Sequence, residues 1–253
     1  MRLPAETPAS GPASGGLAPL RAVLWDMDGT LVDTEPYWIT AEHELVERFG
    51  GQWTHDQAMR LVGQALGTSA GILQEAGVRM EAREIIDTLT ARVIEQLGSA
   101  VPWRPGAREM LDALRAEGVA CALVTMSEAP MVRRILAHLP DGAFAAVITG
   151  DSVVHGKPHP EPYLRGLELL ADQLGGLDPE ECVAVEDSTP GATSAVAAGL
   201  ATVVVPNALA VPVHLGVEHW ETLEGRGPQE LAAALRRGAA VSAVGGSAVG
   251  GSA

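Results

Sequence analysis

The sequence predicts an α/β protein: a doubly wound, Rossmann-like parallel sheet with an α-helical subdomain inserted after the first strand. Three observations carry this expectation. Short apolar runs recur at 22–25, 120–124, 145–148, 182–185 and 202–205, each followed by a helix-like segment. The runs are continuous rather than alternating, as expected of strands covered on both faces. The long stretch between the first run and the second reads as helix throughout.

The helices that follow the later strands have recognisable ends. Pro105 opens and Gly118 closes a segment over 106–117, and further segments span 130–138, 161–174 and 190–198. In the insertion, apolar residues recur near the helical period over 35–49, 55–62, 69–75 and 81–97, with breaks at Gly50-Gly51, Gly63, Gly67 and Gly77. The expected organisation is a core over 20–35 and 103–237 and a helical cap over 36–102. Disordered tails rich in Pro, Ala, Ser and Gly are expected over 1–19 and 238–253. Ligands of such sheets bind beyond the carboxyl ends of the strands, so an insertion after the first strand would roof the site.

Composition narrows the function. No segment approaches the roughly 18–20 apolar residues of a membrane span, and the start lacks the pattern of a secretory signal, so a cytoplasmic protein without a membrane partner is expected. A net charge of −15 argues against a nucleic-acid partner. Cys121 and Cys182 sit in apolar runs and read as buried reduced thiols. The seventeen basic residues are sixteen Arg and one Lys, Lys157. A compact ammonium does what a guanidinium fork does not, so a lone Lys in an Arg-biased chain marks a candidate functional group.

Polar groups gather at the predicted strand ends: Asp26 and Asp28 after the first, Thr125 and Ser127 after the second, Asp151 and Lys157 after the third, Glu186 and Asp187 after the fourth. Singly, DMDG reads as a turn, Thr125 as a helix-start group and EDS as a helix cap. Four such sites in order on one rim, including the one Lys, read as an active site. Crowded carboxylates need a counter-ion, and Asp26, Asp28 and Asp187 offer hard oxygen ligands suited to Mg2+.

These residues carry a family resemblance. WDMDGTLVD at 25–33, ALVTMS at 122–127, GKPHPEPY at 156–163 and VAVEDSTPGATSAVAAG at 183–199 resemble the four motifs of the haloacid dehalogenase-like superfamily. The helical insertion is similar to the small cap of its phosphoglycolate phosphatase and β-phosphoglucomutase branch. The resemblance implies a phosphohydrolase in which Asp26 attacks phosphorus and Asp28 serves as acid and base. It implies that Thr125 and the backbone of Met126 bind the phosphate together with Lys157, and that Asp26, Asp28 (through its carbonyl), Asp187 and Glu186 hold Mg2+.

The expected activity is Mg2+-dependent hydrolysis of a small phosphorylated metabolite, a sugar phosphate or similar, with no protein partner evident. The alternatives are a phosphomutase of the β-phosphoglucomutase type and a binding protein that kept the fold without turnover. Mutase-like members carry a His where DTEPYW places Trp38, and an Arg soon after the position of Gly63, where this chain runs Gln64-Ala65-Leu66. Both departures favour hydrolysis.

Overall fold

Strand β1 (Ala22–Trp25) is the axis around which the chain is organised. The computed structural model describes residues 19–98, 100–216 and 218–246. After β1 come four helices in succession: α1 (Glu35–Arg48), α2 (His55–Met59), α3 (Leu66–Glu75) and α4 (Ala82–Leu97). The chain then alternates through α5 (Ala107–Ala116), β2 (Ala120–Val124), α6 (Ala129–Leu136), β3 (Ala146–Ile148), α7 (Glu161–Leu174), β4 (Cys182–Glu186), α8 (Thr189–Ala197) and β5 (Ala201–Val204). It closes with β6 (Glu218–His219) and α9 (Pro228–Gly246).

Among the described residues all five strand pairings are parallel, in the order β3-β2-β1-β4-β5-β6. The order reverses beside β1, and such a switch point leaves a crevice at the carboxyl ends of β1 and β4. Register aligns the rim: Trp25 sits opposite Leu123 of β2 and Val185 of β4. The residue after Trp25 is therefore level with Val124 and Glu186.

Side-chain alternation splits the core into two layers. Val23 and Trp25 join α5, α9 and the inserted helices, whereas Ala22 and Leu24 pack with Tyr163, Leu167 and Leu170 of α7. Both faces are covered, which is why the strands read as unbroken apolar runs. Cys121 and Cys182 are free and buried, as expected.

The inserted helices pack on one another, α4 against α1 and α3. An ion pair also ties α4 to the core, where Arg83 reaches both oxygens of Glu128, just before α6, at 2.7 Å each.

The structure departs from the expected elements at several ends. Helix α2 stops at Met59 rather than running to 62, and α3 starts at Leu66 rather than 69, after Ala65 in extended conformation. The tail expected from 238 is helical as far as Gly246, because Ala-rich sequence extends α9 at little cost. Residues 247–253 and 1–18 of the expected tails lie outside the described residues. Strand β6 was not anticipated: two polar residues at a sheet edge carry no apolar signal. No described helix is long and apolar enough to cross a membrane.

Candidate active site

Asp26 continues the sheet for one more residue, its N–H donating to the Val185 carbonyl at 3.0 Å. The chain then folds into a tight turn in which the Gly29 N–H reaches the Val32 carbonyl at 2.7 Å. Gly29 has φ +88°, a conformation that side chains oppose, and an added Cβ would lie 2.0 Å from Asp187 Oδ2. The turn thus requires glycine twice over, for its backbone and for its neighbour.

The same turn aims Asp28 at three hydroxyls. Thr34 Oγ1 donates to Oδ1 at 2.5 Å, and Ser127 Oγ and Thr125 Oγ1 donate to Oδ2 at 2.7 and 3.2 Å. Hydroxyls both donate and accept, so this set holds the carboxyl in either protonation state. Thr125 also accepts from the Ser127 N–H at 3.0 Å, tying the loop after β2 to the site.

Lys157 reaches the rim from the loop after β3. That loop is shaped by Glu161, whose carboxylate accepts from the N–H groups of Val154 and His155 at 2.8 and 2.9 Å. Met126 Sδ accepts from the Lys157 N–H at 3.2 Å. The ammonium, only 4% exposed as a residue, donates to Asp26 Oδ1 and Glu186 Oε1 at 2.6 Å each and to the Val124 carbonyl at 2.9 Å. Burial opposes the charge on Lys157, but the two carboxylates outweigh it and hold its pKa above the ordinary value. Tyr163 adds a second donor to Glu186 Oε1 at 2.6 Å.

One ammonium does not balance the carboxylates crowded here. Asp26, Glu186 and Asp187 each offer a ligand oxygen within 4.8 Å of the others. Asp26 Oδ2 is buried with no hydrogen-bond partner among the described residues. Burial lifts the Asp26 carboxyl to about 7 against the pull of Lys157, and burial followed by Asp26 and Glu186 lifts Asp187 well above its usual range. An orphaned buried oxygen among three carboxylates fits a hard divalent cation. The Asp28 carboxylate stands outside this trio, so its side chain belongs to the hydroxyl cluster.

Asp26, Asp28, Thr125, Met126 and Lys157 line one cavity, with Glu186 and Asp187 directly behind. Asp151 faces away, exposed, and accepts from the Ala129 N–H at 3.2 Å. Trp38, Gln64 and Leu66 from the insertion also line the cavity. Sequence reading did not single out Thr34, Tyr163, Glu35 or Glu42. A Thr or Glu inside an apparently amphipathic helix start gives no cue to a partner that the fold alone brings near.

Glu42 has a consequence for stability. It is buried, Trp53 Nε1 donates to its Oε2 at 3.1 Å, and burial is the main cause that pushes its pKa from 4.5 to about 8. Between those values the native state holds a proton that the unfolded chain has lost, so stability falls as pH rises from 4.5 to 8. At about 1.4 kcal/mol per pKa unit, the loss is on the order of a few kcal/mol. Urea unfolding at pH 5 and pH 8 is expected to show a smaller drop for Glu42→Gln than for the wild type. Equal drops would count against the buried acid.

Comparison with known proteins places this architecture. The profile described as haloacid dehalogenase-like hydrolase matches residues 23–205. The chain belongs to the haloacid dehalogenase-like hydrolase family. It is 32% identical over 186 residues to a phosphorylated carbohydrates phosphatase of Thermotoga maritima, covering 72% of this chain and 82% of that one. It is 28% identical over 193 residues to hexitol phosphatase B of Escherichia coli K12, covering 73% and 83%. The crystal structure of CbbY from Rhodobacter sphaeroides in complex with phosphate shares the fold, with a TM-score of 0.73 at 23% identity over 84% of this chain and 99% of that one. As a member of this hydrolase family the chain is an enzyme, and the motif residues are the ones gathered at its switch point.

Proposed function

We propose that the chain is a Mg2+-dependent phosphatase of a small phosphorylated metabolite of the sugar-phosphate type, working through an aspartyl-phosphate on Asp26. The observation that carries this reading is the Asp26 carboxylate itself, with Oδ1 paired to Lys157 at 2.6 Å and Oδ2 buried without a partner among the described residues. The relatives named as phosphatases of phosphorylated carbohydrates and hexitols support the substrate class.

In this reading a carboxylate oxygen of Asp26 attacks phosphorus as the bond to the ester oxygen breaks. Asp28 gives its proton to that oxygen, and the alcohol departs. Asp28 then takes a proton from water, whose oxygen attacks phosphorus and frees Asp26 and inorganic phosphate. Lys157 neutralises the attacking carboxylate and the phosphoryl oxygens, and Thr125 with the Met126 backbone orients them. Asp26, Asp187, Glu186 and the carbonyl of Asp28 would hold Mg2+, which supplies further positive charge to the phosphoryl oxygens. Residues 36–102, which hold α2 to α4 and all of α1 but its first residue, act as the cap over a core of 20–35 and 103–237. Trp38 lines the cavity with no group that transfers a proton, which supports hydrolysis over phosphoryl return to the sugar.

Purified protein is expected to release phosphate from an aryl phosphate only with Mg2+, to stop on addition of a chelator, and to recover when Mg2+ is restored. Asp26→Asn should abolish release at every Mg2+ concentration. Undiminished turnover by that variant would reject the reading.

A further inference from the structure

The two walls of the cavity differ in charge. On the core wall stands Lys157, the one cationic side chain among the described residues of the lining. Another wall presents Glu35, Trp38 and Glu42 of α1 together with Gln64 of the loop before α3 and Ser69 of α3. Glu35, Trp38 and Glu42 are spaced i, i+3, i+7 and so share one face of the helix. That wall combines acceptors, an amide, a hydroxyl and a flat aromatic ring.

We infer that this wall is the subsite for an uncharged, polyhydroxylated tail, and that Glu42, oriented by Trp53, is the residue that selects it. The inference rests on the phosphatase reading and names the class of substrate within it. A second phosphate or a carboxylate on the substrate would lose its water against a wall that offers no guanidinium or ammonium to pair it, which is costly. Hydroxyl groups fit instead: each donates to and accepts from carboxyl and amide groups, while the C–H face of a sugar or polyol lies on the indole.

Glu42 is the best positioned of these groups. It is 5% exposed yet lines the cavity, and the Trp53 Nε1 bond engages Oε2. Among the described residues no donor pairs with Oε1. The high pKa of Glu42 keeps it largely neutral at pH 7, which removes the attraction a cationic tail would need and leaves a donor and an acceptor for hydroxyls.

The test compares kcat/KM of the full chain with Mg2+ on a hexitol 6-phosphate, a hexose bisphosphate, phosphoglycolate, a hexosamine 6-phosphate and an aryl phosphate. The wild type is expected to favour the hexitol phosphate over the bisphosphate, the carboxylate and the amine by at least about tenfold. Glu42→Ala should lose about tenfold more on the hexitol phosphate than on the aryl phosphate, chiefly through KM. Glu42→Gln, which retains an acceptor for Trp53 and a donor for hydroxyls, should recover most of that difference and controls for folding.

A wild type that prefers any charged tail overturns the inference, as does a pair of variants that scale all substrates alike. If the aryl phosphate is hydrolysed in either case, the phosphatase reading stands. Absence of phosphate release from every substrate overturns the phosphatase reading and this inference with it.

Discussion

Lys157→Met is expected to slow phosphate release by about 10²- to 10³-fold, the loss typical of removing one preorganised charge-stabilising donor. The effect is large because nothing else substitutes. Lys157 is the chain's one lysine, and its ammonium is shared between Asp26 and Glu186 at 2.6 Å each. Methionine fills most of the volume but leaves two buried carboxylates facing each other, a loss on the order of 3–5 kcal/mol for a broken buried pair. Protonation of Asp26, already lifted to about 7, would blunt the stability loss at lower pH without restoring turnover. Lys157→Arg should not rescue activity, since a planar fork does not reproduce three contacts converging on one nitrogen. Steady-state phosphate release and thermal unfolding, measured on both variants, separate the two losses. Turnover near that of the wild type in either variant would contradict the role given to the ammonium.

Gly29→Ala is expected to lower activity and apparent Mg2+ affinity by about 10- to 100-fold, as disturbing the support of a metal ligand usually does. The methyl group would sit 2.0 Å from Asp187 Oδ2 and 2.6 Å from its Cγ, so Asp187 must turn away. Positive φ adds strain of about 1–3 kcal/mol, visible as a lower melting temperature. Gly191→Ala makes a parallel collision with Glu186, 1.9 Å from Oε2 and 2.1 Å from Oε1, the oxygen that accepts from Lys157. Glu186 serves Lys157 as well as the proposed metal, so raising Mg2+ should recover a larger part of the Gly29→Ala loss than of the Gly191→Ala loss. Equal recovery in both variants would mean that the Gly191→Ala loss does not pass through Lys157.

The parallel sheet was legible because its strands are covered on both sides, so AVLW, CALV and CVAV stand out as unbroken apolar runs. The rim was legible for a related reason: each apolar run ends abruptly in a charged or hydroxyl residue, and parallel register puts those ends together. What escaped were pairings between distant segments of ordinary composition. The Tyr163 hydroxyl on Glu186 and the Trp53 indole on Glu42 join residues whose types are equally at home in any helix or loop. Thr34 and Ser127 converge on Asp28 only once the turn at Gly29 and the loop after β2 are folded. Strand β6 and the far end of α9 were missed because neither is amphipathic enough to announce itself.

Enclosure of Lys157 also makes the chain its own clock. An acylating reagent that seeks primary amines has one lysine to find, and that ε-amine is both buried and engaged by three oxygens. Mass spectrometry of the peptide bearing it would record how often the enclosure opens, with no probe attached and no background from other lysines.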